Sequence, residues 1–373
     1  IYYKQTADID VKSIKNWAPM KLNALNYDGG KHKISNMKSH SEHGCAGFIA
    51  LSDNKITIKN LELENVNVKG TGYIGALICT ANDADISGIT VSGKVVADKD
   101  STTPSHAGGI VGYHWHGIMY DVENHADVHV DGDAGGIVAS TTSSISSLVK
   151  VANYGNIFAT GHAGGITTVF DNVISFARNY GKVNGLKSAG GIAIVAGEVS
   201  CSFNRGDVFS YNFAAGIVGA AKNVEYVYNT GDIYADSIYK TVYIMGNPYG
   251  NKDSIVLKHA YNEKKPGVFS FAGKNVLSSD TFSLSQKEFQ SKEIVKKMGD
   301  AFVFDEKNEN DGYPVLYMGF KGEGTSESPF LISNKEDLYR MKEYIESVVF
   351  SHLFIDKNFR ITSDIIFDST DTW

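Results

Sequence analysis

The sequence predicts an all-β fold, a right-handed parallel β-helix (β-solenoid) with short capping helices near the C-terminus. Three observations predict it: a small-residue pair followed by an apolar pair that keeps returning, an asparagine column in step with it, and period-two apolar alternation in between. The 373 residues are 42% hydrophobic, enough for a real core, and 38 glycines against six prolines suit many turns between strands. That balance argues against a collagen-like or proline-rich stalk.

The first column runs Ala46-Gly47-Phe48-Ile49, Gly75-Ala76-Leu77-Ile78, Gly108-Gly109-Ile110-Val111, Gly135-Gly136-Ile137-Val138, Gly164-Gly165-Ile166-Thr167, Gly190-Gly191-Ile192-Ala193 and Ala215-Gly216-Ile217-Val218, at spacings of 25 to 33 residues. The second holds Asn124, Asn153, Asn179, Asn204 and Asn229, each four residues before a β-branched residue. Gly155, Gly181, Gly206 and Gly231 follow the last four at two places, which reads as a turn with left-handed backbone. Val199-Ser200-Cys201-Ser202-Phe203 and Val224-Glu225-Tyr226-Val227-Tyr228 alternate as half-buried strands do. A period near 27 holds about three short strands plus turns. One such coil cannot bury its own apolar residues, so coils stack about 4.8 Å apart. Stacking turns the apolar column into a core and the asparagines into a hydrogen-bonded ladder, while the paired glycines permit close approach at a corner. The glycines precede strands at coil spacing, outside any G-x-G-x-x-G or Walker arrangement, so the motif does not read as a phosphate loop.

The net charge of −7 is spread along the chain, and no Lys/Arg run offers a face to nucleic acid or to an anionic membrane. No apolar run approaches the length of a membrane span. Cys45, Cys79 and Cys201 are far apart and form no Cys-x-x-Cys pair; they read as buried free thiols, with Cys201 inside beside Val199 and Phe203. The chain opens on Ile1 without a signal-peptide pattern, which suggests a processed product or a piece of something longer.

The expected organisation is an opening coil over 1–45, β-helix coils over 46–275, a helical cap and closing segment over 276–320, and the opening of a following module, helix plus strand, over 321–373. The 237–275 stretch breaks the rhythm and reads as a protruding loop or an irregular last coil. Ser285-x-x-Glu288 and Ser333-x-x-Glu336 read as capping boxes of two amphipathic helices, the first burying Phe289, Ile294, Val295 and Met298, the second Leu338, Met341 and Ile345. Helices of this kind can cover the open end of a solenoid. Lys4-Gln5-Thr6-Ala7-Asp8-Ile9 returns as Arg360-Ile361-Thr362-Ser363-Asp364-Ile365 at an offset of 356, and Trp17 returns as Trp373.

Tyr3-Lys4-Gln5-Thr6-Ala7-Asp8-Ile9-Asp10, Asn16-Trp17-Ala18-Pro19, Tyr27-Asp28-Gly29-Gly30 and Ile34-Ser35-Asn36, together with the Gly-Gly-Ile-Val coils, resemble bacterial surface proteins with GLUG-type repeats. Asn310-Asp311-Gly312-Tyr313-Pro314-Val315-Leu316 looks like the closing motif of such a module. Gly322-x-Gly324-Thr325, Ser328-Pro329-Phe330-Leu331-Ile332 and Asp337-Leu338-Tyr339 look like the opening of another. The resemblance spans nearly the whole chain. It implies a module of a large secreted or wall-attached protein, of a kind also found beside IgA-protease-type metallopeptidases, and it carries over no catalytic residue. The H-E-x-x-H motif of those proteases is missing from this sequence.

Aligning coils on the glycine pair places His106, Asp133, His162 and Ser188 in one file. That file is either a divalent-cation or pH-sensing site or a solvated hydrogen-bond ladder. His114-Trp115-His116 in a strand would put both histidines on one face, a start for zinc with His125 or His129, or else an aromatic binding patch. Tyr154 and Tyr180 follow the column asparagine, and Phe158, Phe209 and Tyr234 share a file with His129; exposed, these could stack on sugars or a partner protein. For a glycan-cleaving reading, Asp83 lies close to Asp85 and Asp131 to Asp133, but neither pair comes with a basic partner in the neighbouring coil columns. The expected function is therefore a non-catalytic extracellular structural or adhesive module with no required cofactor. The alternatives are a head-to-tail filament subunit, with Tyr3, Trp17, Leu338, Met341, Ile345 and Trp373 at the joint, and a glycan-binding or glycan-degrading β-helix. The partners expected are the chain itself or adjacent modules, and a host glycan or protein.

Overall fold

The computed structural model describes residues 2–22, 25–52, 54–99, 104–141, 146–236, 241–242, 244–248, 255–263, 276–299, 301–322, 324–346, 354 and 357–367. The chain divides into two compact units, 1–287 and 288–373.

The first unit is a parallel β-solenoid of about eleven coils. Its longest file of paired strands passes from Asn26–Ser35 to Ile56–Gly70, Ile78–Ala97, Val111–Val130, Ser146–Asn153, Thr167–Ser175, Ala193–Asn204, Asn223–Asn229, Ile255–Glu263 and Val276–Leu284, every pair parallel. A second, seven-stranded sheet carries the short strands that end on the glycine motif, among them Ser105–Gly108, Gly132–Gly135, His162–Gly164 and Ser188–Gly190. One coil holds four segments rather than three: Gly132–Gly135, Val138–Thr141, Ser146–Asn153 and Ile157–Ala159. The aligned Ile and Val residues of successive coils form one continuous buried core.

The rhythm does not stop at residue 237. Met245–Pro248 pairs with Val218–Ala221, and Ile255–Glu263 pairs with Asn223–Asn229, so a regular coil is present there. Residues 237–240, 243, 249–254 and 264–275 lie outside the described residues.

The expected strict alternation through Cys201 and Tyr226 is not observed. Asn60, Gly88, Asp121, Lys150, Phe176, Cys201, Tyr226 and His259 all have φ between 46° and 60°. Each directly follows a residue paired with its counterpart in the next coil. A single left-handed residue therefore bends each of these coils at the same place, and the side chain there is no part of the continuous core, although Phe176 is buried outside it. Cys201 is partly exposed rather than enclosed with Val199 and Phe203.

In the second unit the first expected helix is split. α1 spans Gln286–Phe289, beginning at the end of the first unit, and α2 spans Lys292–Lys297. Ser291 causes the break: its hydroxyl donates to the Glu288 carbonyl and accepts the Ile294 N–H, which caps a new helix. Phe289, Val295 and Met298 are buried. α3 spans Lys335–Glu346. Its cap is Asn334, whose Oδ1 accepts the Asp337 N–H at 2.8 Å, while Asp337 accepts the Ser333 N–H at 2.9 Å. The capping box thus sits one residue later than the sequence suggested. Leu338 and Met341 are half-buried, but Ile345 is 47% exposed. Tyr344 packs instead, stacked on Phe354 beside Phe320, Phe330 and Phe359.

The Asn310–Leu316 motif is a built turn. Asp305 accepts the N–H groups of Glu309, Asn310 and Gly312, and the Asn310 amide donates to the Tyr313 and Pro314 carbonyls. Val315–Leu316 then pairs antiparallel with Phe302–Val303. Phe330–Ile332 pairs parallel with Phe359–Ile361, one coil-like step of strand on strand.

Candidate binding face

The asparagine file lies inside the solenoid. Asn124, Asn153, Asn179, Asn204 and Asn229 are wholly buried, and each side-chain amide donates to the carboxamide oxygen of the next at 2.7–2.9 Å. The second amide hydrogen goes to the carbonyl two residues on, as in Asn153 to Gly155 at 2.8 Å. Sequence reasoning missed a sixth rung, Asn262, because it follows Asn229 by 33 residues and has no glycine two places later. None of these asparagines has left-handed backbone. The glycines nearby serve space instead: a Cβ on Gly155, Gly181, Gly206 or Gly231 would fall on a carbonyl oxygen of the preceding coil.

The glycine pairs are tied to the same ladder. A Cβ on Gly109, Gly136, Gly165 or Gly191 would meet both the carbonyl of the next pair and the amide of Asn124, Asn153, Asn179 or Asn204. Gly216, which supplies the carbonyl facing Gly191, is buried in the same file. The two columns read separately from the sequence are one corner, asparagine within and glycine without.

Outside that corner, His106, Asp133, His162 and Ser188 stand in register on four adjacent strands, with Tyr73 before them and Phe213 after. Asp133 Oδ1 accepts the His162 backbone N–H at 2.8 Å, and its Oδ2 lies 3.6 Å from His106 Nδ1, too far for a hydrogen bond. The Nδ1 atoms of His106 and His162 are shut off from solvent without a hydrogen-bond partner. These side chains line a recess of about 410 Å³ together with Lys99, Asp131, Thr160 and Lys187. Among the described residues, no three His, Cys, Asp or Glu side chains gather as a metal ion would require.

An aromatic path leads away from the recess. Tyr73 stacks on His106 with ring centres 5.2 Å apart and touches Tyr113 at 5.2 Å; Tyr113 meets Trp115 edge-on at 6.5 Å. Trp115 is 48% exposed and contacts His116. His114 and His116, read from the sequence as a possible pair on one face, differ in environment, His116 being half-buried. His114 is wholly buried, its Nε2 3.2 Å from the Ala84 carbonyl, and burial holds its pKa down at about 4. The strand Val111–Val130 bends just after the two histidines, at Gly117, whose φ is +106°. His125 and His129 are elsewhere, the first stacked on Tyr154 and the second meeting Phe158 at a tilt of 51°.

Tyr154 and Tyr180 lie face to face at 4.8 Å, with His125 on the other face of Tyr154 at 4.4 Å. Glu123 bridges Arg178 and His125 alongside. The rings cover one another's faces, and burial raises the Tyr180 phenol to about 12. Phe158 and Phe209 are separated in their file by Asn184, while Phe209 stacks on Tyr234 at 5.2 Å. Asp85 does have a basic partner, Lys55 in the adjacent coil at 3.1 Å. Tyr3 is 53% exposed, Trp17 is engaged within its own unit on Phe48 at 5.2 Å, and Trp373 lies outside the described residues.

Cys45 and Cys79 form a disulfide, with Cα atoms 6.0 Å apart, which corrects the expectation of two free thiols. Their separation of 34 residues is roughly one coil, so winding brings them together. Cys201 remains free, its thiol raised to about 12 by burial of the sulfur and then by Glu198 and Glu225. Among the described residues no helix is long and apolar enough to cross a membrane.

No protein-family model matches the chain, and no curated protein matches it. A solved structure of a candidate immunoglobulin A1 protease from Bacteroides ovatus aligns with 85% of this chain and 85% of its own, at 17% identity and a TM-score of 0.44. That likeness is too low to carry anything over to this chain.

Proposed function

We propose that the chain is a non-catalytic, extracellular β-solenoid module of a larger bacterial surface or secreted protein, a rigid spacer that displays its flanks. One observation carries this reading: the residues that recur coil after coil, asparagine and glycine, are used up in stacking the coils. A repeated residue committed to the interior builds length, not chemistry. The Cys45–Cys79 disulfide supports an oxidising compartment, and the resemblance to GLUG-type repeats supports the same reading. Cells producing the parent protein would be treated with a membrane-impermeant lysine reagent, then analysed by non-reducing peptide mapping. Labelling of intact cells and a linked Cys45–Cys79 peptide are expected; labelling only after lysis would refute the placement.

A second reading, head-to-tail assembly, is favoured by the return of residues 4–9 at 360–365. In the second unit, Phe359–Ile361 carries Phe330–Ile332 in parallel register, and Thr362 donates its N–H to Ile332. The equivalent register would lay Phe330, Leu331 and Ile332 of another copy beside Tyr3, Lys4 and Gln5. Light scattering across a concentration series tests it. Growth of mass that Leu331→Pro abolishes is expected, and a concentration-independent monomer would reject it.

A further inference from the structure

We infer that the recess on the short-strand sheet, with the aromatic path beside it, is a binding site for an acidic oligosaccharide, a sugar chain bearing carboxylate groups. This goes beyond the spacer reading and does not depend on it. Carbohydrate recognition needs an aromatic ring against which the apolar face of a sugar lies, beside polar groups that meet its hydroxyls. Both are contiguous here. Among the described residues Trp115 makes only steep, edge-type ring contacts, at 81° with Tyr113 and 64° with His116, while about half of its surface stays exposed. Tyr73, also exposed at 40%, links it through ring contacts to His106 at the mouth of the recess. The stack of Tyr154 on Tyr180 is a poorer platform, because its faces are already taken.

Charge decides which sugar. Asp131 accepts the Thr160 hydroxyl at 2.8 Å and Asp133 accepts the His162 N–H at 2.8 Å, so both acids already hold a donor. Lys99 and Lys187 are exposed and, among the described residues, pair with no carboxylate. Lys99 follows the strand Ile78–Ala97 by two residues and Lys187 directly precedes Ser188–Gly190, three coils further on in the register Ala97, Val130, Ala159, Gly185. Three inter-strand steps put them roughly 14 Å apart along the solenoid axis. That span suits a short chain better than a single ring, with a carboxylate at one ammonium group. The unpartnered Nδ1 atoms of His106 and His162 lie between the two lysines. Because every member sits on or beside a stacked strand, the site is held in place before the sugar arrives.

The test titrates the intact chain with 3′-sialyllactose and trigalacturonate as acidic probes, and with lactose and chitotriose as neutral ones, following heat and tryptophan emission. At least one acidic probe is expected to bind with a Kd of about 1 mM or tighter. Lys187→Ala and Trp115→Ala are each expected to weaken it roughly tenfold or more. Both residues are exposed, so thermal unfolding of the variants should match the parent, and Tyr2→Ala on the first coil should leave binding unchanged. Absence of binding by either acidic probe up to about 10 mM, binding of the neutral sugars alone, or variants that bind as the parent does would each overturn the proposal.

Discussion

At the scale of single residues, the buried asparagines show why one residue type can define a fold. An asparagine carboxamide offers two donors and one acceptor oxygen in a plane. Asn179 uses all three, giving one hydrogen to the Gly181 carbonyl and one to Asn204, and accepting from Asn153. Asn179→Ala therefore strands a donor on Asn153 and an acceptor on Asn204 in a dry interior, where each unmet group costs about 1–3 kcal/mol. Chemical denaturation should show a loss of roughly 2–5 kcal/mol, and a loss below that of an exposed Asn156→Ala control would contradict the ladder. Asp in place of Asn would be worse, since it brings charge and no donor. His114 gives a pH signature of its own. Its folded pKa near 4 lies below the ordinary 6.5 because burial disfavours the imidazolium. Above pH 6.5 neither folded nor unfolded chain is charged at this site. As pH falls from 6.5 to 4 the unfolded chain takes up a proton and the folded chain does not, so stability declines through that window and levels off below it. The full loss is about 3 kcal/mol, and His114→Phe should flatten this part of the stability–pH curve; an unchanged slope would show that other groups control it.

At the scale of the element, the lesson is the left-handed corner. Eight residues of very different character, from Asp121 and Lys150 to Phe176 and Tyr226, hold φ near 50° in one file. Gly88 and Asn60 are types common in such backbone, but Lys150, Phe176, Cys201 and Tyr226 are not. The glycine and asparagine columns were legible because close stacking excludes other side chains there, which leaves a fixed residue type at a fixed spacing. The corner was illegible because stacking constrains only its backbone, and its outward side chain varies freely. Period-two patterning then conceals it: in Val199-Ser200-Cys201-Ser202-Phe203 the apolar residues alternate, yet the chain turns at Cys201, which is partly exposed while Val199 and Phe203 are buried. The candidate binding face was partly legible for the same reason. The file His106–Asp133–His162 could be counted from the glycine pair, whereas the joining of Trp115 to Tyr73 crosses between two sheets and follows no single period. A β-branched residue is the sharpest probe of the corner, because left-handed backbone crowds its second γ substituent. Cys201→Val should destabilise by roughly 1–2 kcal/mol, and Cys201→Asn should leave stability level or slightly higher. Equal melting temperatures for the two variants would mean that the corner is not held in that conformation.

At the scale of the whole molecule, a solenoid carries its stability from neighbour to neighbour, since each coil packs chiefly on the coils on either side. Within residues 1–287 the glycine and asparagine corner is regular from Gly109 onward, with the amide ladder from Asn124 to Asn262. The coils before it lack that ladder, and there the chain has the Cys45–Cys79 cross-link, which ties the segment just before Ile49–Ser52 to Ile78–Ala97, two strands already paired. Covalent linkage and amide ladder thus divide the solenoid between them. Closing a loop of 34 residues restricts the unfolded chain by about 4 kcal/mol in the loop-entropy account. Because coupling is local, reduction should not weaken the solenoid evenly. Hydrogen exchange followed by mass spectrometry, with and without a thiol reductant, should show faster exchange in Ile49–Ser52 and Ile56–Gly70 and at the start of Ile78–Ala97. Strands from Thr167–Ser175 to Asn223–Asn229 should exchange at their original rate, their amides held by the asparagine file. Uniform acceleration along all the coils would show that they melt as one cooperative block, and the division of labour between disulfide and ladder would then be wrong.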